Sequence, residues 1–243
     1  MKGTSTEYAQ AFGMFLACTN EKKVFLDVLK EKIATEKISS ILDIGAGNGD
    51  LAIPLSKLVG TYVAVEPVPE YAKYLKEKGL TVIESLFPCA VSGIFDLVLI
   101  SHSLPWKAPK YEPFIKEAWK LLNANGQMLV ITYDNESGDW YQMLKNCGLP
   151  PRRSMTNHIG ALTSFISSTF SKSTRKDIVT TIVSKDLEEI MHALAFVWSD
   201  GEPAHFSEFM KSDTVRKYLT EHYSIGNSGY SFTFTHIFLN VEK

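Results

Sequence analysis

Residues 43–49, Asp-Ile-Gly-Ala-Gly-Asn-Gly, place three glycines on alternate positions behind a β-branched run, with a carboxylate two residues ahead of the first glycine. Glycine accepts positive φ and leaves empty the volume of a Cβ, so such a turn lets a ligand come close to the backbone. Gly45, Ala46, Gly47 and Gly49 therefore form a candidate ligand turn, with Asp43 at its entrance. Three more groups could do chemistry beside it. Glu66 ends the next β-branched run, 17 residues after Gly49. His102 follows the run 95–100 and can take a proton as a neutral imidazole at about pH 7. Glu21 follows Thr19-Asn20 and reads as a first-turn acid favoured by a helix dipole.

The turn discriminates between nucleotide chemistries. A phosphate-cradling P-loop needs Lys-Ser/Thr after its last glycine, and here Asp50-Leu51 follows. A dinucleotide fingerprint sets its third glycine three positions after the second, whereas Gly49 follows Gly47 by two. Asp50 would also set a negative charge against a pyrophosphate at the helix start.

These residues need strands and helices to carry them, and the hydrophobic pattern supplies both. Residues 38–44 read as a buried strand and 51–58 as a helix, so the glycines occupy a strand-to-helix turn. Strands at 61–66, 80–84, 95–100 and 127–132 alternate with helices at 69–78 and 111–122. This alternation predicts a parallel sheet with right-handed crossovers and ligands at the carboxyl ends of its strands. Ahead of it, residues 8–33 read as two helical pieces broken near 18–21, with Thr19 or Asn20 as N-cap. Behind it come a helix capped by Thr156, with Ile159, Leu162, Phe165, Ile166 and Phe170 on one face, then a strand at 178–183 and helix over 186–198 and 202–223. Residues 230–241 alternate at period two, as a long final strand.

Composition bounds the partners. A chain of 243 residues with 45% hydrophobic residues can bury a large core in a single α/β domain. Its expected parts are an N-terminal helical lid (1–37), a ligand-binding core (38–183), a helical insertion (184–229) and the final strand (230–243). A net charge of -2 argues against a nucleic-acid surface, and the basic cluster 172–176 reads as a solvated loop. Cys18, Cys89 and Cys147 form no CxxC pair and read as free thiols of a reducing compartment. His158, His192, His205, His222 and His236 lack metal-ligand spacing, so no metal site is expected. No apolar run reaches the roughly 20 residues of a membrane span and the N-terminus lacks a signal-peptide core, which makes a cytoplasmic location the expectation.

The GxGxG spacing with Asp43 ahead of it resembles motif I of class I S-adenosylmethionine-dependent methyltransferases, and the order of the following elements extends the resemblance over residues 38–132. It implies a Rossmann-like seven-stranded sheet, mostly parallel with the last strand antiparallel, helices on both faces and S-adenosylmethionine as cofactor. Carried onto this sequence, it implies that Asp43, Gly45, Ala46, Gly47 and Gly49 cradle the cofactor, that Glu66 and Pro67 meet the ribose, that Ser85 and Leu86 line the adenine, and that Ser101 lies beside the donor. A finer resemblance concerns Phe12-Gly-Met-Phe15-Leu16 with Thr19-Asn-Glu21, and Ser137-Gly138-Asp139-Trp140, which are similar to segments of histamine N-methyltransferase and its relatives. That likeness implies a small-molecule amine held by Glu21, Tyr8, Phe12, Trp106 and Tyr133, with His102 as a candidate base, in a monomer or weak homodimer. An oxygen acceptor, a protein or an RNA are the alternatives.

Overall fold

Four aliphatic runs, buried on both faces as a parallel sheet requires, become the central strands: β1 (Ser40–Ile44), β2 (Thr61–Val65), β4 (Phe95–Ser101) and β5 (Leu122–Tyr133). With β3 (Thr81–Ile83), β6 (Ser173–Ser184) and β7 (Tyr230–Glu242) they form one seven-stranded sheet in the order β3-β2-β1-β4-β5-β7-β6. The computed structural model describes residues 13–105, 111–150, 158–199 and 202–243. Strands β1 to β5 pair in parallel, and β7 runs antiparallel to β5 with Tyr133 opposite His236. The order reverses between β1 and β4, the switch point at which such sheets bind ligands.

The helices are α1 (Glu21–Glu36), α2 (Ala52–Ser56), α3 (Pro69–Glu77), α4 (Tyr111–Lys120), α5 (Gly138–Asn146), α6 (His158–Thr169), α7 (Leu187–Ser199), α8 (Pro203–Met210) and α9 (Asp213–Tyr223). Residues 13–18 are helical, and the break before α1 falls at Thr19 and Asn20, where Thr19 Oγ1 accepts the Glu21 N–H at 3.1 Å. The Thr156 cap lies outside the described residues.

Two compact units make up the chain. One comprises Lys22–Tyr133, Gly160–Ile178 and His236–Lys243. In it Phe25, Leu29 and Ile33, at helical spacing along α1, pack with Ile41, Leu97, Leu99, Leu129 and Ile131 of the strands. The other unit, including 134–159 and 179–235, is built around Trp140, which packs on Phe232 and Phe234, and around Trp198, which packs on Phe209. Here Thr19 bridges Ile182 of β6, the Asn20 N–H donates to Thr181 O at 3.0 Å, and Asn20 Oδ1 accepts the Thr181 N–H at 2.8 Å. Among the described residues no helix is long and apolar enough to cross a membrane.

Two local expectations are corrected, and one helix is added. The basic cluster is not a loop: Ser173–Ser184 is strand throughout, because pairing within the sheet overrides its polar sequence. Residues 138–146 form α5, which buries Trp140, Met143 and Leu144. The stretch 202–223 is two helices, separated where the Ser212 side chain accepts the Val215 N–H and caps α9.

Candidate active site

Each of the three glycines answers to a different neighbour. All have positive φ: 84° at Gly45, 59° at Gly47 and 87° at Gly49. A Cβ on Gly45 would stand 2.3 Å from Ser103 Cβ, so the protein itself, through the segment after β4, demands this glycine. A Cβ on Gly49 would meet Leu75 of α3 at 2.7 Å and Ile53 of α2 at 2.9 Å, so this glycine serves helix packing. A Cβ on Gly47 would meet nothing within 4 Å. Close approach by a ligand is therefore the reading for Gly47 alone, at the tip of the turn. The turn is tied to the end of β2 by the Gly45 N–H, which donates to Val65 O at 2.7 Å, and by the Ala46 N–H, which donates to the same carbonyl at 3.4 Å.

Glu66 lies just beyond β2, 4% exposed. Its Oε2 accepts the Gly47 N–H at 2.7 Å and its Oε1 accepts the Val68 N–H at 2.8 Å. Both oxygens keep a second lone pair for another donor. Asp43, 3% exposed in β1, receives the Tyr62 hydroxyl on Oδ2 at 2.7 Å. Burial pushes the Asp43 carboxyl up to about 6, with the Tyr62 hydrogen bond opposing the rise and the Glu66 charge adding to it.

His102 follows β4 with φ 52°, its N–H donating to Ile131 O at 3.0 Å. The ring stacks on Tyr133 at 4.3 Å and on Phe25 at 5.8 Å, and meets His236 edge-on at 5.4 Å. His236 in turn packs on Phe25 at 4.8 Å and Tyr133 at 4.8 Å. Strand ends β4 and β5, helix α1 and strand β7 thus bring four rings together.

Of the other expected site residues, Pro67 and Ser85 are half-buried, and the Ser85 hydroxyl donates to Leu86 O at 3.2 Å. Leu86 is 74% exposed, an apolar side chain available to a planar ligand. Glu21 opens α1 and is 1% exposed, unlike a solvated first-turn acid. Tyr8, Phe12 and Trp106 lie outside the described residues. Sequence reasoning missed Tyr62, Ser103 and His236. Each depends on a cross-strand or loop contact that no local pattern announces.

The arrangement fits an adenosyl ligand. The tip of the glycine turn faces open space, a buried diacceptor sits beside it, and the buried Ser101 hydroxyl at the end of β4 has no hydrogen-bond partner among the described residues. A family model described as a methyltransferase domain matches residues 20–197. The chain belongs to the methyltransferase-domain family. Family and strand order together make it a class I, S-adenosylmethionine-dependent methyltransferase. None of the curated proteins matches this methyltransferase. Among solved structures, its fold is similar to the YcgJ protein of Bacillus subtilis (16% identity, TM-score 0.56, covering 90% of this chain and 97% of that one). It is also similar to YjhP of E. coli (13% identity, TM-score 0.54, 92% of each chain). A third similar fold is the plantazolicin methyltransferase BpumL in complex with SAH (10% identity, TM-score 0.55, 99% of this chain and 92% of that one).

Proposed function

We propose that this methyltransferase methylates the amine nitrogen of a small molecule, holding the cofactor at Asp43, Gly47 and Glu66 and the acceptor among the rings of Phe25, His102 and Tyr133. The observation that carries the acceptor class is the group of aromatic faces formed by Phe25, His102 and Tyr133. Aromatic faces favour a cationic amine.

When bound, the cofactor supplies an electrophilic methyl on a sulfonium. The protein's part is to align the acceptor lone pair with the S–CH₃ bond and to exclude water, which supplies ~7 kcal/mol or more of the barrier in well-oriented pairs. A protonated amine must first lose its proton, and the neutral His102 imidazole is the acceptor for it in this reading. Incubating the enzyme with methyl-labelled cofactor and separate metabolite, protein and RNA fractions tests the class: label is expected in the metabolites, and label confined to protein or RNA would reject it.

Two variants test the two ends of the site. Gly47→Val is expected to abolish calorimetrically detectable cofactor binding, because its branched Cβ fills the space at the turn tip and disfavours φ 59°. Unchanged binding would remove Gly47 from the cofactor site. Glu21→Gln is expected to raise the acceptor KM by roughly tenfold while kcat and cofactor affinity hold, as for a contact made equally in ground and transition states. A first-turn acid serving only the helix dipole would instead cost ~0.3 to 1 kcal/mol of stability and leave KM alone.

A further inference from the structure

The carboxylate of Asp43 is one of few buried charges in the sheet, and the group that meets it comes from the neighbouring strand. In the β1–β2 pairing Asp43 lies opposite Ala64, and Tyr62 lies opposite Ile41. Tyr62 and Asp43 are therefore diagonal neighbours on one face. Ala64, whose side chain is a single methyl, leaves room for the phenol to reach past it and donate to Asp43 Oδ2 at 2.7 Å. Both partners are buried.

We propose that Tyr62 is a positioning residue for cofactor binding: its hydroxyl orients the Asp43 carboxylate and favours the charged form that receives the cationic methionine end of S-adenosylmethionine. The proposal rests on the placement of Asp43 in the cofactor site. Other charges also act on Asp43. Lys22 on α1 favours its ionisation, and Glu66 beyond β2 opposes it. Burial is the largest influence and raises the carboxyl to about 6, while burial and the Asp43 charge push the Tyr62 phenol well above its ordinary range, so the phenol remains a donor. The Tyr62 hydroxyl thus opposes the rise that burial imposes on Asp43.

The signs follow. Below the range in which the cofactor's own α-amino group loses its proton, cofactor affinity is expected to be level, and to fall as pH drops through about 6, where Asp43 gains its proton. Tyr62→Phe removes a hydrogen bond to the charged form, so the midpoint moves upward by about one pH unit or more. At about pH 7 the variant should bind the cofactor several-fold more weakly, with the gap closing by about pH 9.

The first readout uses the cofactor-free protein: the Asp43 side-chain carboxyl ¹³C resonance, assigned by its absence in Asp43→Asn, is followed against pH in wild type and Tyr62→Phe. The second is calorimetric titration of S-adenosylmethionine and S-adenosylhomocysteine over the same range. A higher midpoint in Tyr62→Phe, matched by the pH at which affinity is lost, supports the proposal. An unmoved carboxyl titration, or a loss of affinity equal at every pH, overturns it while leaving Asp43 in the cofactor site if Asp43→Asn binds weakly. Wild-type affinity in Asp43→Asn would remove Asp43 from that site, and the proposal with it.

Discussion

Gly45→Ala is expected to lower stability by about 3 kcal/mol or more, and the cost of Gly45→Ala to be smaller when Ser103 is already Gly. The added Cβ would stand 2.3 Å from Ser103 Cβ and 2.9 Å from Ser103 Oγ. The obstacle is not the free end of a flexible chain, since a Cβ is fixed by its backbone and the Ser103 hydroxyl is held by Ile44 O. Two penalties add: roughly 1 to 2 kcal/mol for a side chain at φ 84° and roughly 1 to 3 kcal/mol for overpacking. Ser103→Gly removes the second and leaves the first. Ser103→Gly by itself loses one hydrogen bond, about 1 kcal/mol. Chemical denaturation of the four proteins in the double-mutant cycle should give a coupling of about 1 to 3 kcal/mol. A coupling near zero would show that the clash is not the cause.

Glu66→Gln is expected to weaken cofactor binding as severely as Glu66→Ala, by about tenfold to a hundredfold. The two variants should also both melt earlier than wild type without cofactor. A carboxylate whose only task was to accept ribose hydroxyls would tolerate an amide better than a methyl, because the amide keeps one acceptor. Glu66 already accepts N–H groups from Gly47 and Val68, one on each oxygen. Glutamine must turn its NH₂ toward one of them, placing donor against donor in a buried site, so one of the two bonds to Gly47 and Val68 is lost. Calorimetry with S-adenosylhomocysteine and a melting curve of the free protein decide it: a Gln variant near wild type in both would leave the ribose as the only partner of Glu66.

What the sequence made legible, and what it hid, divides along a physical line. Residues 61–65 and 95–101 announce themselves as strands because they are short, mostly apolar runs rich in aliphatic residues and largely buried. The glycine turn is legible because three alternate glycines mark a backbone of positive φ, which all three adopt. The separate duties of Gly45, Gly47 and Gly49 are not legible, since they depend on Ser103, on open space and on Leu75, all set by tertiary packing. The Tyr62–Asp43 contact depends on strand register, and the first five residues of β6, Ser-Thr-Arg-Lys-Asp, carry no apolar pattern. Helix α5 hides behind Gly138, whose φ of 72° reads as a turn. The burial of Glu21 is likewise a property of what packs around the start of α1.

The short clasp of Thr19 and Asn20 on β6 has a consequence for how the molecule behaves in company. Strand β6 is the outermost of the sheet on its side, and an uncovered edge is a template on which a foreign strand can grow. Around Thr181 the template is already taken, because Asn20 uses its backbone as a donor and its side chain as an acceptor there. Farther toward Ser173 the edge carries Arg175, Lys176 and Asp177, with Arg175 paired to Asp177, so an incoming strand would have to strip water from charges. The opposite edge, β3, is only three residues long. One stretch of chain thus both starts the helix that carries Glu21 and covers part of the edge of the sheet, so loosening it would leave the backbone of β6 around Thr181 open to a foreign strand.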